Sequence, residues 1–69
     1  MPLLFATPGQ EVKVQDVKGS PDVKQHLNEL GFNTGTPVTV ISSIATGLIV
    51  KVKDSRIALD RSMASKIMF

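Results

Sequence analysis

The stretch Leu30-Gly31-Phe32-Asn33-Thr34-Gly35-Thr36-Pro37-Val38-Thr39-Val40-Ile41 decides how this chain folds. Before it, apolar side chains recur at three and four positions, the period of an amphipathic helix. After it they recur at two, the period of a half-buried strand. Gly31 and Gly35 lie where the period changes, and Pro37 follows them. A chain with this pattern must turn here.

Upstream, both ends of a helix are marked. Ser20 offers a hydroxyl to cap the first free N–H groups, Pro21 has the backbone angle of a first helical residue, and Asp22 places negative charge at the positive end of the helix dipole. Val23, Leu27 and Leu30 then stand at i, i+4 and i+7, one narrow apolar stripe. A helix of about ten residues is marginal alone and must dock on a sheet. Gly31 stands where a left-handed cap is expected, and Phe32 just beyond it closes the helix end against the core.

Downstream, Thr36 to Ile44 reads as a strand with Val38, Val40 and Ser42 on one side. Proline cannot donate to a ladder, so Pro37 belongs at an edge or at the strand's first residue. Ile41 and Ile44 break the alternation, which implies a curved strand partly buried on both faces. Ala45-Thr46-Gly47 is a short hairpin turn, and Leu48 to Lys53 a strand with Leu48, Val50 and Val52 inward and Lys51 and Lys53 outward. Asp54-Ser55 makes a second turn into Arg56-Ile57-Ala58-Leu59, with Ile57 and Leu59 inward. Asp60 caps one helical turn, and Lys66-Ile67-Met68-Phe69 forms a terminal strand.

At the other end, Leu3-Leu4-Phe5 is an apolar anchor and Pro8-Gly9 a turn. Glu11 to Val17 is a strand with Val12 and Val14 inward. Val17 falls out of register, which puts a bulge or strand end near Asp16. The expected fold is mainly β: a small barrel of about five short strands, with one inserted α-helix and a short C-terminal helical turn. Closing the sheet would remove its edges. One domain spans residues 1–69.

A domain of 69 residues needs help beyond a small core, from disulfides, a structural metal, very efficient packing or a partner. There is no cysteine, which excludes disulfides and thiolate zinc sites, and one histidine with six scattered acids argues against a protein-only metal cage. No apolar run approaches the roughly 18–20 residues that span a bilayer, so membrane insertion is not expected. Met1 to Phe5 is too short for a secretory signal, and a cytoplasmic location is the default expectation. The apolar ends Leu3-Leu4-Phe5 and Ile67-Met68-Phe69 should pack within one barrel or else pair between chains as a homo-oligomer.

The net charge of +2 is unevenly placed: Lys51, Lys53, Arg56, Arg61 and Lys66 face only Asp54 and Asp60 in the last third. Such a segment can attract an acidic protein face, nucleic acid or anionic lipid, although a solvated strand face is the plainer reading. No exposed aromatics interleave it for base stacking, and +2 is low for nucleic-acid binding by charge alone. Catalysis is not expected. The serines have only His26 as a base, and so small a barrel leaves little room for a cleft. His26 flanks the apolar stripe, with Glu29 its only ligand-type neighbour at i+3, too few for a metal site. Gly31 to Gly35 closes a helix and opens a strand, the reverse of a phosphate loop.

Leu27-Asn28-Glu29-Leu30-Gly31-Phe32-Asn33-Thr34-Gly35-Thr36-Pro37-Val38-Thr39-Val40 resembles the Leu-x-x-Leu-Gly-Phe/Leu-x-x-Gly-x-x-Val-x-Val signature of the ferrous iron transport protein A family, the FeoA-like domains. Pro8-Gly9-Gln10-Glu11-Val12 is similar to the family's opening Pro-Gly-x-x-Val. Ser55-Arg56-Ile57-Ala58-Leu59 and Ala64 to Ile67 resemble its closing motifs. The motif residues Leu27, Leu30, Gly31, Phe32, Gly35, Val38 and Val40 are read as structural.

The resemblance implies an SH3-like β-barrel with an inserted helix. It also implies a cytoplasmic, non-enzymatic accessory protein of bacterial ferrous iron uptake without a cofactor, whose partner is the FeoB-type membrane transporter with its cytosolic GTP-binding domain. The candidate partner-binding residues are Lys24, His26 and Glu29 on the helix, and Lys51, Lys53 and Arg56 on the basic strands. His26 stands where the family often has arginine, which would make a contact there weaker or pH-dependent. The rival readings are an SH3-like regulatory module in iron-dependent transcription control and a basic nucleic-acid-binding barrel. The chain has no helix-turn-helix of its own.

Overall fold

The structure is a computed structural model that describes residues 1–69. Its longest helix, α1, covers Pro21–Leu30 with the predicted ends. The Ser20 hydroxyl accepts from the Val23 N–H at 3.3 Å. Gly31 adopts the left-handed conformation, with φ 112°, and its N–H donates to Asn28 O at 3.0 Å. The Phe32 N–H donates to Leu27 O at 3.0 Å, and both Leu27 and Phe32 are fully buried. The helix end is therefore fixed by backbone bonds and by an aromatic ring in the core. Val23 and Leu30 are half-buried, so the apolar stripe has one deep residue and two flanking ones.

Four strands form an antiparallel sheet: β1 (Glu11–Lys13), β3 (Pro37–Ile44), β4 (Gly47–Val52) and β5 (Ser55–Asp60), in the order β1-β3-β4-β5. A second ladder pairs β2 (Asp16–Val17) with β6 (Ile67–Met68). A short helix, α2 (Arg61–Ala64), joins β5 to β6 and is capped by Asp60, whose Oδ1 accepts from the Met63 N–H at 2.7 Å. A 3-10 turn at Leu3–Phe5 buries Leu3 beneath it. Val12, Val38, Val40, Leu48, Val50, Val52 and Leu59 fill the inside of the sheet, with Leu27 and Phe32 from the helix corner. The polar-apolar alternation read from the sequence thus describes the core-facing side well.

Pairing corrects the strand reading at four points. The hydrogen-bonded sheet does not close. The first strand leaves the large sheet after Lys13 and resumes pairing at Asp16 with β6, because the Val14 N–H and carbonyl bond instead to the turn at Gly35 and Thr36. A register shift between Val40 and Ser42 makes Ile41 the extra residue of a bulge, so Ser42 does not continue the row of Val38 and Val40. Lys53 belongs to a turn and not to a strand. Val52 pairs with Ser55, and Lys53-Asp54 connects them, with Lys53 at φ 55°. That is the positive φ a two-residue hairpin demands of its first turn residue. Finally, Gly47 is the first, buried residue of β4, and the turn before it is Ala45-Thr46.

The ends meet within one chain. The Phe69 N–H donates to Met1 O at 2.7 Å, Pro2 bridges to Met68, and Leu3 and Ile67 are both fully buried. The apolar termini therefore need no second copy to cover them, although Met1 and Phe5 stay exposed.

Gly47 is required by close approach. A Cβ built there would overlap the Leu59 carbonyl oxygen and lie 2.8 Å from Asp60 Cα, both of them backbone atoms that cannot rotate away. Gly47→Ala is expected to cost about 3 kcal/mol, the upper end for overpacking. Gly35→Ala, with nothing within 4 Å of its Cβ, is expected to cost about 1 kcal/mol for the left-handed backbone alone. Urea unfolding of both variants checks the order.

Candidate functional site

All six sequence-predicted partner-binding residues are exposed. Lys51 and Arg56 lie directly opposite each other on β4 and β5, and Lys53 is in the turn that joins these strands. The hairpin thus carries three cations at its tip. None of them has an ion-pair partner within the chain, where the one salt bridge is Lys18–Asp16. The Lys53 stem runs back to the end of α1, with its Cδ and Cε 3.8 Å from where a Gly31 Cβ would stand. The α1 last turn has no basic residue of its own, so Lys53 brings a cationic side chain to the negative end of that helix dipole.

The helix residues do not share one face. At about 100° per residue, Lys24 and His26 lie about 160° apart, on opposite flanks of the buried Leu27. Lys24 and Glu29 join Pro21, Gln25 and Asn28 around an open depression on the outer side of α1. Glu29 Oε1 accepts from Gln25 Nε2 at 3.2 Å, which orders that side. His26 is exposed but outside the depression. The expected trio is therefore two surfaces: an outer face with Lys24 and Glu29, and a flank with His26. Helical periodicity contains this signal, since residues two apart on a helix never face the same way.

A second charged group was missed. Asp16, at the start of β2, bonds the Lys18 ammonium at 3.1 Å, and its Oδ1 accepts from the Val17 N–H at 2.8 Å. The Lys18 hydrogen bond, the Val17 N–H and the charges of Lys18 and Lys24 hold the Asp16 carboxyl below its ordinary value. The signal was present in the Asp-Val-Lys order, since residues two apart on an extended segment share a face. No three His, Cys, Asp or Glu side chains gather as a metal-binding group, and no helix is long and apolar enough to cross a membrane.

A split antiparallel sheet with a helix inserted between its second and third strands defines a small SH3-like β domain. The solved structures it resembles have that architecture. A crystal structure of FeoA, described as an iron uptake regulatory protein, aligns with TM-score 0.89 and 26% identity over 97% of this chain and 91% of its own. FeoA of Stenotrophomonas maltophilia aligns with TM-score 0.85 and 28% identity over 99% of this chain and 87% of its own. That protein was crystallised with zinc and is described as a prokaryotic SH3 domain protein and a candidate ferrous iron transport activating factor. A candidate Fe(2+) transport protein A of Methanocaldococcus jannaschii is 37% identical over 67 residues, covering 97% of this chain and 82% of the relative. The FeoA domain profile matches residues 1–69, and the chain belongs to the FeoA family of ferrous iron transport proteins.

Removing the Lys18 ammonium removes the largest cause of the lowered Asp16 pKa. Lys18→Ala is expected to move the Asp16 titration up toward the ordinary carboxylate range, read by carboxyl-carbon NMR shifts against pH. A group with a lowered folded pKa stabilises the fold above its unfolded pKa and loses that contribution as pH falls through the folded value. The wild-type protein should therefore lose a small increment of stability at acid pH that Lys18→Ala lacks, small because the pair is exposed.

Proposed function

We propose that this chain is a small accessory protein of ferrous iron uptake that works without chemistry of its own, by docking on the cytosolic GTP-binding domain of a FeoB-type membrane transporter. Family membership supports the iron transport setting. The observation that carries the docking surface is the β4–β5 hairpin tip. Lys51, Lys53 and Arg56 are exposed there, unpaired, and held by strand pairing and a fixed turn. Cations presented on a rigid element steer an acidic partner and set its orientation. Because the Lys53 stem lies against the end of α1, the hairpin and the last turn of the helix form a continuous surface. On the helix itself, Lys24 and Glu29 share the outer face and His26 lies on the flank.

In this reading the protein acts on the cytoplasmic side by contact alone. The SH3-like frame supplies the stiffness, and the turn supplies the charge. His26 in place of a guanidinium leaves the helix flank without a permanently charged fork.

Titrating the isotope-labelled protein with the GTP-binding domain of the transporter tests this. Amide shifts should move first at Lys51, Lys53 and Arg56, and binding should weaken as salt rises. Lys51→Glu with Lys53→Glu should weaken binding about tenfold or more while the fold is kept. Shifts confined to other surfaces, or binding indifferent to the double reversal, would overturn the assignment.

A further inference from the structure

β5 ends the four-stranded sheet, and no other strand pairs with its outer edge. The strand runs six residues, Ser55-Arg56-Ile57-Ala58-Leu59-Asp60, with no proline. Its pairing to β4 starts from a two-residue turn, so the closing pair Val52–Ser55 exchanges both hydrogen bonds. Alternation then points the N–H and carbonyl groups of Ser55, Ile57 and Leu59 toward β4, and those of Arg56 and Ala58, with the Asp60 N–H, toward the free edge; the Asp60 carbonyl belongs to the N-cap of α2. After Asp60 the chain leaves this edge: the Arg61 N–H donates to Thr46 O, and α2 packs against β4, β5 and the Leu3–Phe5 turn. The other edge strand, β1, has only three residues.

The charge order along this edge is self-complementary. If β5 meets a second β5 antiparallel about a two-fold axis at Ala58, Arg56 stands opposite the other copy's Asp60, and Ile57 opposite its Leu59. Both charge pairs lie on the solvent side, and both apolar pairs continue the core-facing side. The small exposed Ala58 faces itself at the axis, where close approach is needed. The edge donors and acceptors fall in the bonded positions of that register, giving a full narrow pair at Ala58 and one bond at each Arg56–Asp60 pair, from the Asp60 N–H to the Arg56 carbonyl. Asp60 can take part and remain a cap, because capping uses its carbonyl and Oδ1 and leaves its N–H and second carboxylate oxygen for the other copy.

We propose that the β5 edge is a self-recognition surface, through which two copies of this chain join their sheets antiparallel about Ala58. The pairing places Arg56 against Asp60 of the second copy. A dimer and an Arg56-mediated contact with another protein therefore exclude each other, while Lys51 and Lys53 remain outside the strand pair.

Sedimentation of the full chain over a range of concentrations, combined with amide exchange by NMR, tests this. The expected result is a monomer–dimer equilibrium in which the Arg56, Ala58 and Asp60 amides become protected as concentration rises. Arg56→Asp sets like charges opposite each other and should weaken the dimer about tenfold or more. Mixing Arg56→Asp with Asp60→Lys should restore a mixed dimer, a readout that loss of folding cannot imitate. Ala58→Pro removes an edge donor without touching the β4 ladder and should abolish pairing. A chain that stays monomeric to millimolar concentration with unprotected Ala58, or a dimer indifferent to Arg56→Asp and Ala58→Pro, would overturn the proposal.

Discussion

The turn that seats Phe32 in the core is the constraint on which the rest of the structure depends. Helix α1 has one fully buried side chain of its own, Leu27, and is too short to persist in water alone. Gly31 in the left-handed conformation ends it and lets Phe32 enter the core directly beyond. Leu27 and Phe32 are joined by a backbone bond across this corner, so the helix is anchored at its C-terminal end. From there the chain reaches Gly35, whose N–H bonds to Val14 O, and then starts β3 at Pro37 with no donor wasted. One corner thus places the helix, holds the first strand and starts the central one.

The surface features are carried by this frame at some distance. The hairpin tip with Lys51, Lys53 and Arg56 projects from strands whose inner faces, Val50 and Val52, are fully buried or nearly so. Rigid support of that kind lets a few unpaired cations keep a defined arrangement. The β5 edge has the same origin. A sheet that is split and not closed satisfies its core while leaving one six-residue strand with open backbone groups. Function in a domain this small is a matter of what the core pushes outward.

Much of this was legible because it is local chemistry. Ser20, Pro21 and Gly31 mark helix ends through their own hydroxyl, ring and missing side chain, and the period-two valines need only a strand to alternate in. The bulge at Ile41, the left-handed Lys53 and the buried Gly47 were not legible. Each depends on which residue of a neighbouring strand comes opposite, and register is a property of two segments. Gly47 looked like a turn glycine, and its real constraint is the Leu59 backbone beside it. In the candidate site, exposure of the six residues followed from polarity, while the iron transport setting came from a different set, the structural motif of Leu27, Leu30, Gly31, Phe32, Gly35, Val38 and Val40. Their grouping did not follow. Lys24 and His26 are near in sequence but on opposite flanks of a helix, while Lys51 and Arg56 are apart in sequence and directly opposed.

The central claim is that the Gly31–Phe32 corner holds the functional surface in place without touching a partner. Unfolding free energy and affinity for the proposed partner, the GTP-binding domain of a FeoB-type transporter, measured on the same Gly31→Ala protein, separate the two roles. A Cβ at Gly31 meets Val52 Cγ2 at 3.4 Å, an ordinary contact, so the cost comes from the left-handed backbone. That cost is about 1 kcal/mol. Gly31→Ala should show this loss of stability while the folded protein keeps its affinity. Unchanged stability together with weakened binding would contradict it.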